Sequence, residues 1–396
     1  MQPLVLTAST IVSAMGHGAA GTLAALRERR TGLRACDYEG VGRGWIGRVD
    51  AVEGHALPPA LARYECRNNR LASLALHADG FRDAAAAAVA RYGADRIAVV
   101  IGTSTSGVQA TEDAFRGRDP GTGALPARFD YEHTQDMFSV ASFVRAVLGL
   151  RGPAFTVSTA CASSAKCFID AHHLLESGVC DAAVVGGVDS LCRMTLQGFA
   201  ALDLISEGPC RPCDAGRQGI SIGEAAGFAL LERPSSAQVS GGIALLGYGA
   251  TSDGYHMSSP HPEGAGAIGA MRAALGRAGL VPDDIDYINL HGTGTRANDA
   301  MEDLAVSAVF GADTPCSSTK GWSGHTLGAC GILEAVIAGL CIRHGFVPGC
   351  LAVETVDPAF RARVAVSDES RPVRRVLSNS FGFGGINCSL ILGLPD

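Results

Sequence analysis

Lysine is almost absent from this chain: of 32 basic side chains only Lys166 and Lys320 are lysines. Where arginine holds nearly every cationic position, a retained lysine points to a task that needs a compact ammonium and not a planar fork. Excess positive charge is missing too. The formal net charge of −7 argues against a nucleic-acid binder, because phosphate contacts require a basic face. The N-terminal residues carry no basic leader, and no apolar run approaches the roughly 18 residues of a membrane span. A cytoplasmic protein is therefore expected. A disulfide framework is also lacking. The 13 cysteines are odd in number and scattered, which reads as reduced thiols. Cys210 and Cys213 have Cys-x-x-Cys spacing, but no second pair completes a zinc site, so no metal is expected.

What the chain does have is length and apolar content. With 396 residues, 47% of them hydrophobic, it can bury a large core in two domains or one duplicated unit. The pattern of elements favours duplication. An alanine-rich helix over residues 70–91 ends at Gly93, and a buried strand over 97–101 runs into Gly102-Thr103-Ser104-Thr105. Further on, a helix over 267–277 stops at Gly279, and a strand over 285–290 runs through His291 into Gly292-Thr293-Gly294-Thr295. Ser158-Thr159 then precedes a helix starting at Cys161, as Ser318-Thr319 precedes Lys320 and a helix over 326–344. Two matched pairs in one order indicate an internal repeat, 1–238 and 239–396, with the boundary in the Ser- and Gly-rich stretch near 235–242. Helices alternating with short apolar strands imply mostly parallel sheets covered on both faces.

Cys161 lies where a strand turns into a helix, and the helix dipole there favours a reactive thiolate. A buried small hydrophobe has the same appearance. Two histidines weigh against that second reading. His291 ends an apolar strand before a glycine-rich turn, and His325 is held between Gly324 and Gly328 ahead of an apolar helix. If the equivalent loops of the two halves converge, a thiol nucleophile meets histidine partners.

These segments carry a family resemblance. Ser158-Thr159-Ala160-Cys161, His291-Gly-Thr-Gly-Thr295, Ser318-Thr319-Lys320-Gly-Trp-Ser-Gly-His325 and Asn379-Ser-Phe-Gly-Phe-Gly-Gly385 resemble the β-ketoacyl-acyl carrier protein synthases, specifically the elongating Cys-His-His branch. The resemblance spans nearly the whole chain. It implies an α/β, thiolase-like duplicated fold with layered helices and two mixed, mostly parallel sheets. It also implies a decarboxylative condensation of an enzyme-bound acyl group with malonyl-acyl carrier protein. Cys161 would be the nucleophile, with the N–H groups of Cys161 and Phe383 as oxyanion donors and His291 and His325 as enolate stabilisers. Lys320 would be paired with Glu334, Thr293 and Thr295 would contact pantetheine, and Phe381 and Phe383 would form a gating loop. Substrates would arrive on the phosphopantetheine of an acyl carrier protein with no free cofactor, and the enzyme would be a homodimer or a heterodimer with a related subunit.

Two departures resemble a narrower branch serving specialised lipids and aryl polyenes. The loop Thr103-Ser104-Thr105-Ser106 is unusually polar, with Thr105 expected to border the acyl pocket, and Lys166 follows the nucleophile. A thiolase would need a second catalytic cysteine in the C-terminal glycine loop, where this chain has Phe381 and Phe383. A chain-length-factor-type partner subunit usually lacks the nucleophile that Cys161 supplies, and a cysteine hydrolase would not need the second histidine and the lysine. Arg63, Arg67 and Arg70 fall on one face if their segment is helical, and offer a docking patch for an acidic carrier. A second group, Arg361 to Arg375, is the alternative.

Overall fold

The computed structural model describes residues 1–234 and 242–395, so the expected boundary at 238/239 lies outside the described residues. The first half supplies strands β1 (Leu4–Ser13), β2 (Ile97–Gly102), β3 (Ala154–Val157), β4 (Ala182–Asp189) and β5 (Ala225–Glu232). The second half supplies β6 (Ala244–Ser252), β7 (Tyr287–Asn289), β8 (Pro315–Ser317), β9 (Arg375–Gly382) and β10 (Ile386–Gly393). Within the sheet the first set is ordered β3-β2-β4-β5-β1 and the second β8-β7-β9-β10-β6. Raising each number in the first order by five gives the second, so the two halves share one topology.

The pairing is mixed, but evenly so. In each half the second strand of that order, β2 or β7, pairs in parallel with both neighbours, while the remaining two contacts are antiparallel. The antiparallel share exceeds expectation partly because β9 and β10 form a hairpin across Phe383–Gly385, and so short a link admits no parallel return. The two halves are also continuous. Leu4 pairs with Leu245 and Val5 with Ala244, which joins them into one sheet in place of the two expected.

Helices α1 (Arg67–Leu76) and α2 (Phe81–Tyr92) replace the single alanine-rich helix that the composition suggested. Asp79 and Gly80 both adopt left-handed backbone angles (φ 53° and 69°), and the Asp79 carboxylate accepts the Ala19 N–H instead of facing solvent on a continuous helix. Two further helices, α3 (Ser163–Glu176) and a later one (Cys330–His344), follow β3 and β8 and pack against each other in the core. Their approach requires Gly331, where a Cβ would fall 2.5 Å from the Ala165 nitrogen. The later helix is buried throughout 330–342. With its preceding turn, Leu327–His344 reaches 18 residues at a mean hydropathy of 1.5, so one apolar run does match a membrane span in length, contrary to the reading above. It is 89% buried inside the protein, which makes it a core helix.

Arg67 does not belong to a surface patch. Its guanidinium forks onto Glu224 (2.8 and 2.6 Å) and also reaches Glu53 (2.6 Å). Glu224 is completely buried and also accepts the N–H groups of Val49 and Leu191. The helix that brings Arg67 onto one face with Arg63 and Arg70 is interrupted before it starts, since Arg63 lies in a separate short helix. Of the three, Arg63 is exposed and Arg70 is half-buried against Glu65. Removing one partner of a buried, forked ion pair costs about 3 to 5 kcal/mol. Arg67→Ala is therefore expected to lower the chemical-denaturation free energy by about that amount. A loss under about 1 kcal/mol would be the signature of an exposed pair.

Candidate active site

Cys161 sits on a strained turn between β3 and α3. Ala160 adopts φ 49°, a region that costs a non-glycine residue about 1 to 2 kcal/mol. Ser163 pins the turn, its hydroxyl donating to the Ala160 carbonyl (2.6 Å) and accepting the Thr159 N–H (2.9 Å). Gly382 closes over it from β9, where a Cβ would fall 2.8 Å from the Thr159 oxygen.

His325 Nε2 lies 3.0 Å from Cys161 Sγ. The His325 backbone is clamped as a strand-like bridge, its N–H donating to Ser221 (2.7 Å) and its carbonyl accepting from Gly223 (2.9 Å). Its ring centroid is 5.2 Å from that of His291, edge to face. One donor atom each from Cys161, His291 and His325 lies within 4.8 Å of the other two. Among the described residues this is the one such group of three metal-type donors, and Cys210 and Cys213 belong to none. Cys210 Sγ donates instead to the Lys320 carbonyl.

Lys320 and Glu334 form a buried pair at 2.5 Å. Burial opposes the charge on each, and their mutual attraction holds Lys320 as an ammonium, with its pKa above the ordinary value. Among the described residues no hydrogen bond joins Lys320 to His325, so the lysine acts on the histidines through its field. Burial, reinforced by that charge, pushes both histidines well below their usual pKa and keeps them neutral. A neutral imidazole has a single N–H to donate, and in each ring Nδ1 is buried without a partner, which leaves Nε2 for the chemistry.

The thiol does not behave as the helix-dipole argument suggested. Burial pushes it up to about 11, and the opposing pull of Lys320 and of the Phe383 and Cys161 N–H groups does not overcome this. The helix itself begins only at Ser163, beyond the sulfur. The resting pair is therefore thiol and neutral imidazole. Since the thiolate fraction follows a pKa near 11, alkylation by iodoacetamide should accelerate about tenfold per pH unit from pH 7 to 10. A plateau reached below pH 8 would instead indicate a preformed thiolate-imidazolium pair.

A cavity of about 520 Å3 opens over this group. Cys161, His291, His325, Phe381 and Phe383 line it together with Thr293 and Thr295. The threonine hydroxyls lie 2.9 Å apart, and Thr295 caps the helix α4 (Arg296–Phe310) by accepting the Asn298 N–H. With α4 placed, the buried core helix Cys330–His344 is α5. Phe383 is 36% exposed and packs on Phe199, with Gly384 and Gly385 beside it at φ 84° and 79°. Phe381 is buried against His291.

Thr105 does not line this cavity. Its hydroxyl donates to Asp189 (2.8 Å), which also accepts the hydroxyls of Thr103 and Ser104 and the N–H groups of Ser104, Thr105 and Gly328. Ser106 donates instead to the Thr134 and Asp136 carbonyls, so every hydroxyl of the polar loop has a partner and none is left to select an unsaturated chain. Asp189 escaped sequence reasoning, as did Glu302. The Glu302 carboxylate accepts the N–H groups of His291 (2.8 Å) and Gly292 (2.7 Å) and the side chain of Asn379 (3.1 Å). Burial raises its pKa to about 7. No local pattern marks either acid, because the groups they hold come from elsewhere in the chain.

Comparisons with known proteins agree with this arrangement. The models for the β-ketoacyl synthase N-terminal and C-terminal domains match residues 69–237 and 243–354. The 3-oxoacyl-[acyl-carrier-protein] synthase 2 of Rhizobium meliloti is 37% identical over 312 residues, covering 74% of this chain and 73% of the relative. Among solved structures, the ketosynthase in complex with its chain length factor from Xenorhabdus doucetiae is 39% identical. It superposes with a TM-score of 0.90 over 100% of this chain and 98% of that one. The ishigamide ketosynthase/chain length factor structure is 30% identical, with a TM-score of 0.90 and full coverage of both chains. With matched models over more than half its length and a thiol flanked by two neutral histidines in the shared fold, the chain belongs to the β-ketoacyl synthase family.

Proposed function

We propose that this protein catalyses the decarboxylative condensation of an acyl group on Cys161 with malonyl-acyl carrier protein. The observation that carries the reading is Cys161 Sγ at 3.0 Å from His325 Nε2, with His291 converging on the same space and, among the described residues, no carboxylate bonded to Nδ1 of either ring. In the first half-reaction Cys161 Sγ attacks the acyl thioester as His325 Nε2 takes its proton. The oxyanion forms against the Cys161 and Phe383 N–H groups, and the carrier thiol leaves with the proton. In the second, the malonyl carboxylate departs as carbon dioxide. The resulting enolate oxygen accepts hydrogen bonds from the Nε2–H of His291 and of His325, the latter after tautomer exchange has moved its proton from Nδ1 to Nε2, and its carbon attacks the Cys161 thioester and expels the sulfur as a thiolate, which takes up one proton from solvent. The released product is two carbons longer and stays on the carrier.

The reading extends to partners. Strand β3 ends the sheet and pairs on one side only, with β2, so its outer edge is free for a second subunit to extend. A homodimer or a heterodimer with a chain-length-factor-type subunit fits that edge, and two structural relatives matched over the full length of this chain, both ketosynthases described with a chain length factor, favour the heterodimer. The carrier would dock through Arg63 and Arg70, with Arg67 excluded, in the cytoplasm. The test is incubation with malonyl-carrier protein and a panel of saturated and polyenoyl carrier proteins, alone and with a candidate partner subunit. A β-ketoacyl product two carbons longer is expected, and malonyl and acyl carriers left unchanged in every combination would reject the reading.

A further inference from the structure

We infer that Arg296 is the residue that recognises the phosphate of the substrate's phosphopantetheine arm. The inference rests on the condensing-enzyme reading and assigns a binding role to a residue outside the reacting group. The cavity that ends at Cys161 has one cationic side chain in its lining, Arg296. Arg296 is exposed and, among the described residues, its guanidinium makes no hydrogen bond or ion pair, its charge being felt only at longer range by Asp357, which is already bonded to Arg217. Nearly every other arginine around it is engaged. Arg217 is buried and bonded to Asp357, Arg211 pairs with Glu354, and Arg43 reaches the Ala200 carbonyl and approaches Asp203.

Position and charge both bear on the role. Arg296 directly follows Thr295, one of the two threonines on the cavity wall, and its own carbonyl accepts from Arg217, which fixes the start of α4. Two carboxylates, Asp203 and Asp253, line the same cavity. Asp253 is occupied by Asn387 and the His261 N–H, while Asp203 is open to solvent. Without Arg296 the lining would carry only negative charge, and an anionic arm would enter against it. A guanidinium forks onto phosphate oxygens through two parallel N–H groups, and one without a hydrogen-bond partner in the wall of the cavity that reaches the nucleophile matches a substrate whose carrier linkage is a phosphate ester.

The test uses full-length protein and four thioesters of one acyl group, on pantetheine, phosphopantetheine, coenzyme A and carrier protein, with acylation of Cys161 read by intact mass. In the native enzyme the KM for acyl-pantetheine should exceed that for acyl-phosphopantetheine by roughly tenfold. In Arg296→Ala that ratio should fall to about one, and Arg296→Lys should restore part of it. The phosphate contact predicts that the loss appears with coenzyme A as well as with carrier protein. A loss confined to carrier protein would overturn the phosphate site in favour of a protein contact, and an unchanged ratio would remove it outright. If no thioester acylates the native protein, the condensing-enzyme reading fails, and the phosphate site is decided by protection. Phosphopantetheine should then slow iodoacetamide alkylation of Cys161 more than pantetheine does in the native protein and equally in Arg296→Ala, and equal protection in both would overturn it.

Discussion

Cys161→Ala is expected to abolish the acyl-enzyme, with condensation falling by on the order of 10^4-fold or more. Among the described residues the cavity lining holds no second thiol. Cys330 lies against the Cys161 backbone, but its sulfur donates to the Cys161 carbonyl at 3.1 Å, and burial raises its pKa well above the ordinary value. It is also absent from the cavity lining. The same variant leaves His291 and His325 in place, so release of carbon dioxide from malonyl-carrier protein should continue. Intact-mass spectrometry after addition of acyl-carrier protein should show one adduct on the native chain and none on the variant. An adduct that persists on Cys161→Ala would transfer the nucleophile's role to another residue.

Replacing the histidines should separate the two half-reactions. Each imidazole N–H lost from a developing enolate costs on the order of 100-fold in the step that forms it. His291 has no hydrogen bond to the sulfur, and its backbone is fixed by Glu302, so His291→Ala should slow decarboxylation by roughly that factor while acyl transfer changes little. His325 touches both events. It faces the thiol at 3.0 Å, and because the thiol's pKa is pushed up to about 11, its proton needs an acceptor during attack. His325→Ala should therefore lose both half-reactions. Equal losses from His291→Ala in both would mean that it serves the sulfur and not the enolate. Burial and Lys320 hold both rings neutral well below pH 6.5, so neither histidine should impose an acid limb on the rate near neutrality. A limb seen near pH 7 would instead fit Glu302, behind His291, or Glu334, beside Lys320, since burial raises the pKa of each to about 7.

The convergence of the candidate site was legible in the sequence because its residues fall in short runs. Cys161, His291, Lys320, His325 and the Asn379–Gly385 loop each sit in a turn whose glycines and hydroxyls have a local reason to be there. The repeat was legible as well, since a strand entering a polar turn looks the same in both halves. What escaped depends on partners remote in sequence. Arg67 reads as surface charge until Glu224, 157 residues away, is seen to bury it. Asp189 and Glu302 read as ordinary acids because the N–H groups they hold lie on other segments. The thiol pKa was misread because helix position is visible in a sequence and desolvation is not. The break at Asp79 was missed because alanine-rich sequence on either side favours helix, and the contact to Ala19 that favours the turn lies 60 residues back.

The repeated strand order has a consequence for when the protein becomes active during synthesis. The proposed nucleophile, Cys161, lies in the first half, whereas its proposed partners His291, Lys320, His325 and the Phe383 amide come from the second. The first half can emerge from the ribosome carrying its own strand set, with Cys161 made but without acid-base partners or a complete oxyanion hole. Domains fold in order as they are made, at about 5 to 20 residues per second, so the 222 residues between Cys161 and Phe383 take on the order of 10 to 40 seconds to appear. The site closes only when β9 and β10 seat beside β7 and β6, among the last pairings the chain can form. Such pairings between residues far apart in sequence fold slowly. A nascent chain thus carries a protonated, unassisted thiol for most of its synthesis, and reactivity arrives late and in a single step.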